Sequence, residues 1–484
     1  MGPSMNVKRP IGYQWRSSSA LLVVVACVAL FTETLLYGFV VPILPYMLEV
    51  RLGRDPVDTQ TTISGLLSVH GLATLIAAPV LAAQLDKAPN GKTPFLLALT
   101  SCVVGTVLVA VTPSFWFLCL GRLMQAVAGT AAWLICLSIL TEAGGDKNVG
   151  KFIGLSMSFV MMGIVGGPVI AGAMLEWRGY WAAWSVPLGI LVVDIIARFI
   201  MIEKPRQGAQ VSDQPVGDAS GNKASESHQT GRDDVSETSA LLSEPAAGAA
   251  NGNAKSDDDD DQEPEPASSA SFYYVVLRDG RLLTSTASII VHSVMIAGFE
   301  ATLPLYLRHR FHSGSSFVGL MFLVLQTPSV FLSPLTGWLR DRVGTRWPTV
   351  VGWVLLSPLL WLLAAPVGGH DGRATFVSAM VGIGLTMPLL SGAGFIQMMA
   401  TLRSIESKNP RLFGAQGGRS RACAINSIGF NIGLMAGPLI SGFLYQAIGY
   451  HYMTITLAVL CLVMAFFVFF YFDSLPASSK DDVE

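Results

Sequence analysis

The chain has 484 residues, of which 51% are hydrophobic and only 13% are charged, whereas a typical soluble domain has about 25% charged residues. Its formal net charge of −2 gives no indication of a nucleic-acid partner. This composition excludes an ordinary soluble globular protein and favours one that crosses a membrane several times.

Twelve apolar stretches are long enough to cross a bilayer, and we number them spans 1 to 12. Helices are expected, because lipid cannot hydrogen bond to an exposed backbone and the stretches are too long for barrel strands. The first stretch lacks a small-residue cleavage site, so it is interpreted as a membrane span rather than a signal peptide. The predicted fold class is an all-α polytopic membrane protein, whose spans cover residues 20–44, 61–85, 94–112, 115–140, 150–175, 180–202, 282–308, 315–338, 347–367, 374–400, 421–446 and 451–473.

Lysine and arginine residues predict the orientation of these spans. With the N-terminus in the cytosol, 20 of them flank the spans on the cytosolic side and 6 flank the spans on the other side. Because basic residues are enriched in cytosolic loops, we expect both termini and the central loop in the cytosol. The six cysteines all lie within spans and lack metal-ligand spacing, so we interpret them as small buried hydrophobic residues and expect no metal.

A polar segment, residues 203–277, divides the spans into two groups of six. It is rich in Ser, Ala, Gly, Pro and acidic residues, and it includes five consecutive aspartates at 257–261. Such a segment cannot bury enough apolar surface to fold, which predicts a disordered acidic cytosolic linker. Six-helix bundles are then expected over 20–202 and 278–473, with a cytosolic N-terminus of residues 1–19 and a cytosolic tail of residues 474–484. In the linker, Glu237, Leu241 and Leu242 fit an acidic dileucine signal for sorting adaptors, a pattern that is also common by chance.

The two groups of spans contain an internal repeat. "GPVIAGAMLEWRGY" at 167–180 and "GPLISGFLYQAIGY" at 437–450 are identical at six of fourteen positions. Parallel six-helix repeats place a binding site between the halves near the bilayer midplane. We therefore expect the functional site there.

A second repeated motif lies just after spans 2 and 8. The copy "GWLRDRVGTR" at 337–346 resembles the signature of the major facilitator superfamily, and the copy that starts at Gln84 departs from it in several positions. This resemblance implies a cytosolic latch that stabilises one conformation without contacting substrate. Its carboxylate would cap a neighbouring helix while its arginines bridge to other spans. The latch residues are Asp86, Gly337, Asp341, Arg342 and Arg346.

Spans 4 and 5 carry two further family-like patterns. Arg122, Gln125 and the glycine at 129 resemble the span 4 signature of the same family, while span 5 resembles the motif of its drug/proton antiporters. Small residues let membrane helices pack closely, and an interior proline allows a bend. The span 5 pattern indicates a tight, deformable seam, with ordinary packing as the alternative; its residues are Gly154, Gly163, Gly167, Pro168 and Gly172.

Charged residues inside the spans are candidates for function, because each costs about 2.5–3.5 kcal/mol at mid-membrane. Glu33 lies in the middle of span 1, where the resemblance implies an acid of proton-coupled exporters. Arg122 is its natural partner, so we expect a proton-coupling pair, with a static ion pair as the alternative. Asp194 and Arg198 are four residues apart on span 6 and are expected to neutralise each other.

Further polar residues are expected along the substrate or proton pathway. Glu300 in span 7 resembles an acid of the vesicular amine transporters, and Gln125 follows Arg122 by about one turn. His292 lies twelve residues before the proline of a Leu-Pro pair, as Glu33 does, so it is expected opposite Glu33 in the repeat. Satisfied, non-functional histidines remain the alternative for both His292 and His70.

The sequence contains no nucleophile–base pair, metal spacing or Walker loop, so we expect a transporter and not an enzyme. The predicted function is a proton-coupled antiporter that exports a small organic metabolite or drug-like compound by alternating access, driven by the proton gradient without a cofactor. A small carboxylic acid such as itaconate, or passive facilitation, are the alternatives. We expect a monomer in the plasma membrane, with the vacuolar membrane as the alternative, in a eukaryote such as a fungus.

Overall fold

The computed structural model describes residue 16 and residues 18–85, 92–201, 278–363, 370–408 and 419–473. The regular structure in these ranges is helical throughout. The predicted linker with its sorting signal, the C-terminal tail, Asp86 and the side chain of Asp341 lie outside the described part of the chain. The helices are Ser19–Tyr46, Pro56–Leu85, Lys92–Val111, Phe115–Arg178, Tyr180–Ile200, Gly280–Phe311, Ser315–Val343, Arg346–Leu363, His370–Thr386, Ala393–Lys408 and Arg419–Tyr471.

These helices correspond to the twelve predicted spans, although two long helices each contain two spans and one span is divided into two helices. The helix Phe115–Arg178 holds spans 4 and 5, as two apolar segments, Phe115–Gly144 and Lys151–Arg178. The helix Arg419–Tyr471 holds spans 11 and 12 and turns at Gly449, whose φ is 82°. At 1.5 Å per residue, a straight helix of 53 residues would be about 80 Å long, far more than a bilayer requires.

Span 10 differs from the uninterrupted helix that we predicted. It consists of two helices, joined by a short 3-10 turn at Met387–Leu389 and by Gly392 with a φ of 72°. Arg340 of span 8 donates hydrogen bonds to the carbonyls of Pro388 and Leu389 at 3.2 and 2.8 Å. These bonds satisfy backbone groups that the break would otherwise leave unpaired inside the membrane.

The two groups of six spans have largely separate hydrophobic cores. In the N-terminal half, one cluster forms around Phe95 and another around Trp184, while the main cluster of the C-terminal half includes Trp353 and Phe376. The chain is therefore two helical bundles that meet along an interface. We call the side where residues 46–56, 178–180 and 311–315 lie the far end, and the side where residues 18–19 and 471–473 lie the near end.

Contacts between the halves concentrate on the far side of the molecule. At the far end, Arg308 Nη1 pairs with Glu49 Oε2 at 2.6 Å. The Ser316 backbone nitrogen, at the start of span 8, donates to Glu176 Oε2 at 3.0 Å. Thr74 Oγ1 donates to Asn431 Oδ1 at 3.1 Å nearer mid-depth. The contacts of Glu49 and Glu176 with the other half thus hold the far end closed.

Candidate functional site

The carboxyl group of Glu33 lies at mid-depth, against span 4. A side-chain carbon at Gly129 would overlap that carboxyl group. The glycine of the span 4 signature is therefore needed for space, because any side chain there would displace Glu33. Glu33 itself is only half-buried, so it can be reached from the interior of the protein.

Arg122 lies in the same region and is only 1% exposed. Its Nη1 donates to Gln125 Oε1 at 3.0 Å, and Gln125 Nε2 donates to Thr106 Oγ1 at 2.9 Å. Its Nε and Nη2 have no hydrogen-bond partner among the described residues. The expected direct pair with Glu33 is not formed here, because Gln125 holds the guanidinium group along its own helix.

The attraction between Arg122 and the acids is exerted without direct contact. The guanidinium group interacts electrostatically with both Glu33 and Glu300. One buried cation therefore serves two carboxyl groups, one from each half of the molecule. That arrangement differs from the isolated pair that the sequence suggested.

Tyr37 and Glu300 connect the halves at mid-depth. Tyr37 Oη of span 1 donates to Glu300 Oε2 of span 7 at 2.6 Å, and Glu300 is only 6% exposed. The His70 ring lies 5.4 Å from the Tyr37 ring, between centroids, and its Nδ1 lacks a hydrogen-bond partner among the described residues. Sequence reasoning missed Tyr37, although its position one helical turn after Glu33 places both side chains on one face.

The repeat predicted from sequence is visible in the packing of glycines. Gly163 of span 5 approaches the backbone of residues 31–35 in span 1, and Gly433 of span 11 approaches residues 290–294 in span 7. The matched atoms are the same in both halves: a carbonyl oxygen and, four residues later, a backbone nitrogen. Residues 31–35 and 290–294 are therefore structural equivalents.

This equivalence places His292 at the position of Glu33, as the spacing predicted. His292 is half-buried, and its Nδ1 has no hydrogen-bond partner among the described residues. Arg340 is the charged group that acts on it. The histidine thus shares the location of Glu33 in the fold but not its charged neighbours.

The span 5 motif packs on two different partners. Gly163 and Gly167 pack on the backbone of span 1, while Gly172 and Pro168 pack on the start of span 8, in the other half. A side-chain carbon added at Gly154 would meet no atom of another helix within 4 Å. The part of the motif towards the far end is therefore a seam between the halves, whereas Gly154 has open space around it.

The latch motif is partly described. Arg346 Nε donates to the Phe469 carbonyl at 2.5 Å, so this arginine bridges to span 12 of its own half. Arg342 lies over the Trp338 ring at 4.4 Å. Gly337 lies at the near end of span 8. The expected helix-capping contact of Asp341 stays a prediction.

Asp194 and Arg198 interact electrostatically, as expected of a pair that neutralise each other, but no hydrogen bond joins them. Asp194 is 0% exposed, and neither of its carboxyl oxygens has a hydrogen-bond partner among the described residues. The Arg198 guanidinium carbon lies 4.5 Å from the centre of the Phe95 ring, and Nη1 donates to Met201 Sδ at 3.5 Å.

Two repeated six-helix bundles that meet over charged residues at mid-depth define a polytopic membrane protein of the transporter class. The sequence matches the Major Facilitator Superfamily over residues 26–418 and 410–484. The chain belongs to this family of transporters.

Named relatives are similar over most or part of the chain. An MFS-type transporter of Schizosaccharomyces pombe is 29% identical over 447 residues, covering 92% of this chain and 94% of the relative. The MFS-type transporter ppzB of Metarhizium rileyi is 26% identical, covering 91% and 92%. The class C tetracycline resistance protein of Escherichia coli is 29% identical over 160 residues, covering 33% and 39%.

Solved structures confirm the fold. The nucleoside transporter NupG aligns with a TM-score of 0.62 at 13% identity, covering 92% of this chain and 98% of that one. A bacterial homologue of the lysosomal transporter Spinster, in an inward-facing and unoccupied conformation, aligns with a TM-score of 0.64 at 13% identity, covering 93% and 95%. Both similarities show the fold.

Proposed function

We propose that the protein is a proton-coupled antiporter that exports a small organic metabolite or drug-like compound from the cytosol. The observation that carries this proposal is the mid-depth arrangement of Glu33, Glu300 and Arg122, joined across the halves by Tyr37. Two acids face one arginine, so one negative charge is left uncompensated. Because an uncompensated charge is costly inside a membrane, the arrangement favours binding of one proton.

The closed far end supports the direction of transport. With the near end in the cytosol, as the lysine and arginine distribution indicates, the interior would be loaded from the cytosolic side. Export would then require the halves to rock so that the far end opens. The partial similarity to a tetracycline resistance protein is in keeping with export.

A carboxylate is the second candidate substrate. Two nitrogens of the Arg122 guanidinium group, Nε and Nη2, have no hydrogen-bond partner among the described residues. A guanidinium group binds a carboxylate through two parallel hydrogen bonds. A small carboxylic acid such as itaconate would therefore find a suitable donor at this site.

Metabolite release from cells that lack the protein tests the proposal. Native protein or Glu33→Gln is restored, and intracellular and extracellular compounds are profiled without a substrate chosen beforehand. We expect the native chain alone to export one compound against its gradient, and the charge of that compound decides between the two substrate classes. Equal release by both chains, independent of external pH, would instead identify a passive facilitator.

The expected setting of this activity is a monomer in the plasma membrane. Each chain supplies both halves and thus a complete pathway. A fluorescent fusion, compared with markers of the plasma and vacuolar membranes, distinguishes the two locations. Loss of correct location on Leu241→Ala and Leu242→Ala would assign the sorting signal.

A further inference from the structure

Asp194 is a buried carboxyl group that the site between the halves does not use. It lies in span 6, within the N-terminal bundle, and is 0% exposed. Neither oxygen has a hydrogen-bond partner among the described residues. A carboxylate buried in this way is costly, so its presence calls for a neutral form or a function.

Groups of spans 1, 3, 4 and 6 interact electrostatically with Asp194. Glu33 of span 1 and Arg198 of span 6 interact with it electrostatically. Asp194 also interacts electrostatically with the thiol of Cys102 in span 3 and with that of Cys136 in span 4. Among the described residues, the titratable or charged groups that interact with Asp194 are Glu33, Cys102, Cys136 and Arg198, and Arg122 acts on Glu33 in turn.

Asp194 lies between Glu33 and the near end. Its helix ends at Ile200, six residues further on, which is about 9 Å at 1.5 Å per residue. Glu33 is fourteen residues from the start of its helix at Ser19, or about 21 Å by the same measure. Asp194 is therefore about 12 Å closer than Glu33 to the near end.

The carboxyl groups and arginines between the site and the near end carry one excess negative charge, which one proton would neutralise. Arg122 acts on Glu33 and Glu300, and Arg198 acts on Asp194. Three carboxyl groups thus share two arginines. A single proton neutralises the excess charge, whichever carboxyl group holds it.

We propose that Asp194 is a proton-relay residue that passes the coupling proton between Glu33 and the near end, through the interior of the N-terminal bundle. The proton path is then separate from the substrate path between the halves. This inference rests on the proposed proton-coupled function.

The relay is a simple proton transfer without a redox step. The O–H bond at Glu33 breaks as an O–H bond forms at Asp194, and Asp194 then releases the proton to water at the near end. No direct hydrogen bond joins the two carboxyl groups, and they differ by about 12 Å in depth, so a chain of water molecules carries the proton between them. Arg198 stabilises the carboxylate that remains on Asp194 after release.

Charge movement after a pH jump tests the relay without any substrate. The full chain is reconstituted in proteoliposomes on a solid-supported membrane, and the transient current is recorded. We expect a current for the native protein, its loss in Glu33→Gln, and slowing by at least about tenfold in Asp194→Asn. Asp194→Glu should restore it, and Asp58→Asn, an exposed carboxyl at the far end, should leave it unchanged.

The outcomes separate the two proposals. A native protein without any pH-driven current would overturn proton coupling itself. A native current that Asp194→Asn leaves at its normal rate would overturn the relay alone.

If the Asp194→Asn variant does not fold, infrared difference spectra test the relay in a protein that keeps Asp194. The protein carrying Glu33→Gln and Glu300→Gln is titrated, and the region of protonated carboxyl groups away from water is followed. A pH-dependent band that survives these substitutions supports titration of Asp194. Absence of any such band contradicts the relay.

Discussion

The two halves of the molecule share their packing but differ in their chemistry. Gly163 and Gly433 make equivalent approaches to spans 1 and 7, and this places Glu33 and His292 at equivalent positions. Around Glu33 the N-terminal half adds Arg122 and Asp194, whereas Arg340 is the charged group that acts on His292. The repeat therefore conserves a seam between helices, while Glu33 has more charged groups acting on it than His292 has.

The largest effect is expected from Glu33→Gln. Glutamine keeps the size of the side chain beside Gly129 but cannot exchange a proton, so concentrative export of the identified compound should be abolished. The matched control is His292→Gln at the equivalent position of the other half, which should change the export rate within about twofold. Both rates are measured in proteoliposomes with an imposed pH gradient.

The comparison between the halves would fail if His292→Gln abolished export as completely as Glu33→Gln. The C-terminal half would then carry part of the proton coupling. Thermal unfolding of both variants distinguishes a loss of coupling from a loss of folded protein.

The seam between the halves at the far end should respond strongly to added bulk. Gly172→Leu would force its side chain into the backbone at Ser315 of span 8. Overpacking of this kind costs about 1–3 kcal/mol. It should therefore shift the equilibrium constant between the closed and open far end roughly 5- to 150-fold towards the open form. The distance between spin labels at exposed residues 116 and 452 measures this shift towards the open form.

Gly154→Leu is the matched control within the same motif. Because a side-chain carbon there would meet no atom of another helix within 4 Å, we expect no change in the label distance. Equal shifts in the two variants would show that the motif acts on span 5 itself rather than through contact with span 8.

A smaller effect is expected from Tyr37→Phe, which removes the hydrogen bond to Glu300 and keeps the ring. Loss of this bond should cost about 1 kcal/mol and so weaken far-end closure by roughly fivefold. The same label pair reports it. If the label distance is unchanged while export falls, Tyr37 affects Glu300 locally and does not hold the halves together.

The sequence predicted the spans well and the contacts between them poorly, for a physical reason. Lipid requires long apolar helices, so hydropathy locates them, and charges inside apolar stretches identify Glu33, Arg122 and Glu300. Which charges meet depends on the rotation and register of packed helices, which composition does not determine. The expected Glu33–Arg122 bond is absent for that reason, and Tyr37 was missed because a tyrosine in a span is ordinary.

The break in span 10 shows the same limit. Pro388 and Gly392 are visible in the sequence, but both residue types also occur within unbroken membrane helices. The break depends on Arg340, which reaches across from span 8 to satisfy the freed carbonyls. A contact between distant spans thus decides a local feature.

The smallest effect is expected from Glu49→Gln at the far end. The carboxylate pairs with Arg308 at 2.6 Å, but the Arg308 side chain is 40% exposed, so solvent weakens the attraction. Exposed pairs contribute about 0–1 kcal/mol, and far-end closure should weaken by at most about fivefold. Salt screens such a pair, so the difference between native and variant label distances should shrink as ionic strength rises. A shift that exceeds that of Gly172→Leu, or that ignores salt, would show that closure depends on this ion pair more than on the packed seam.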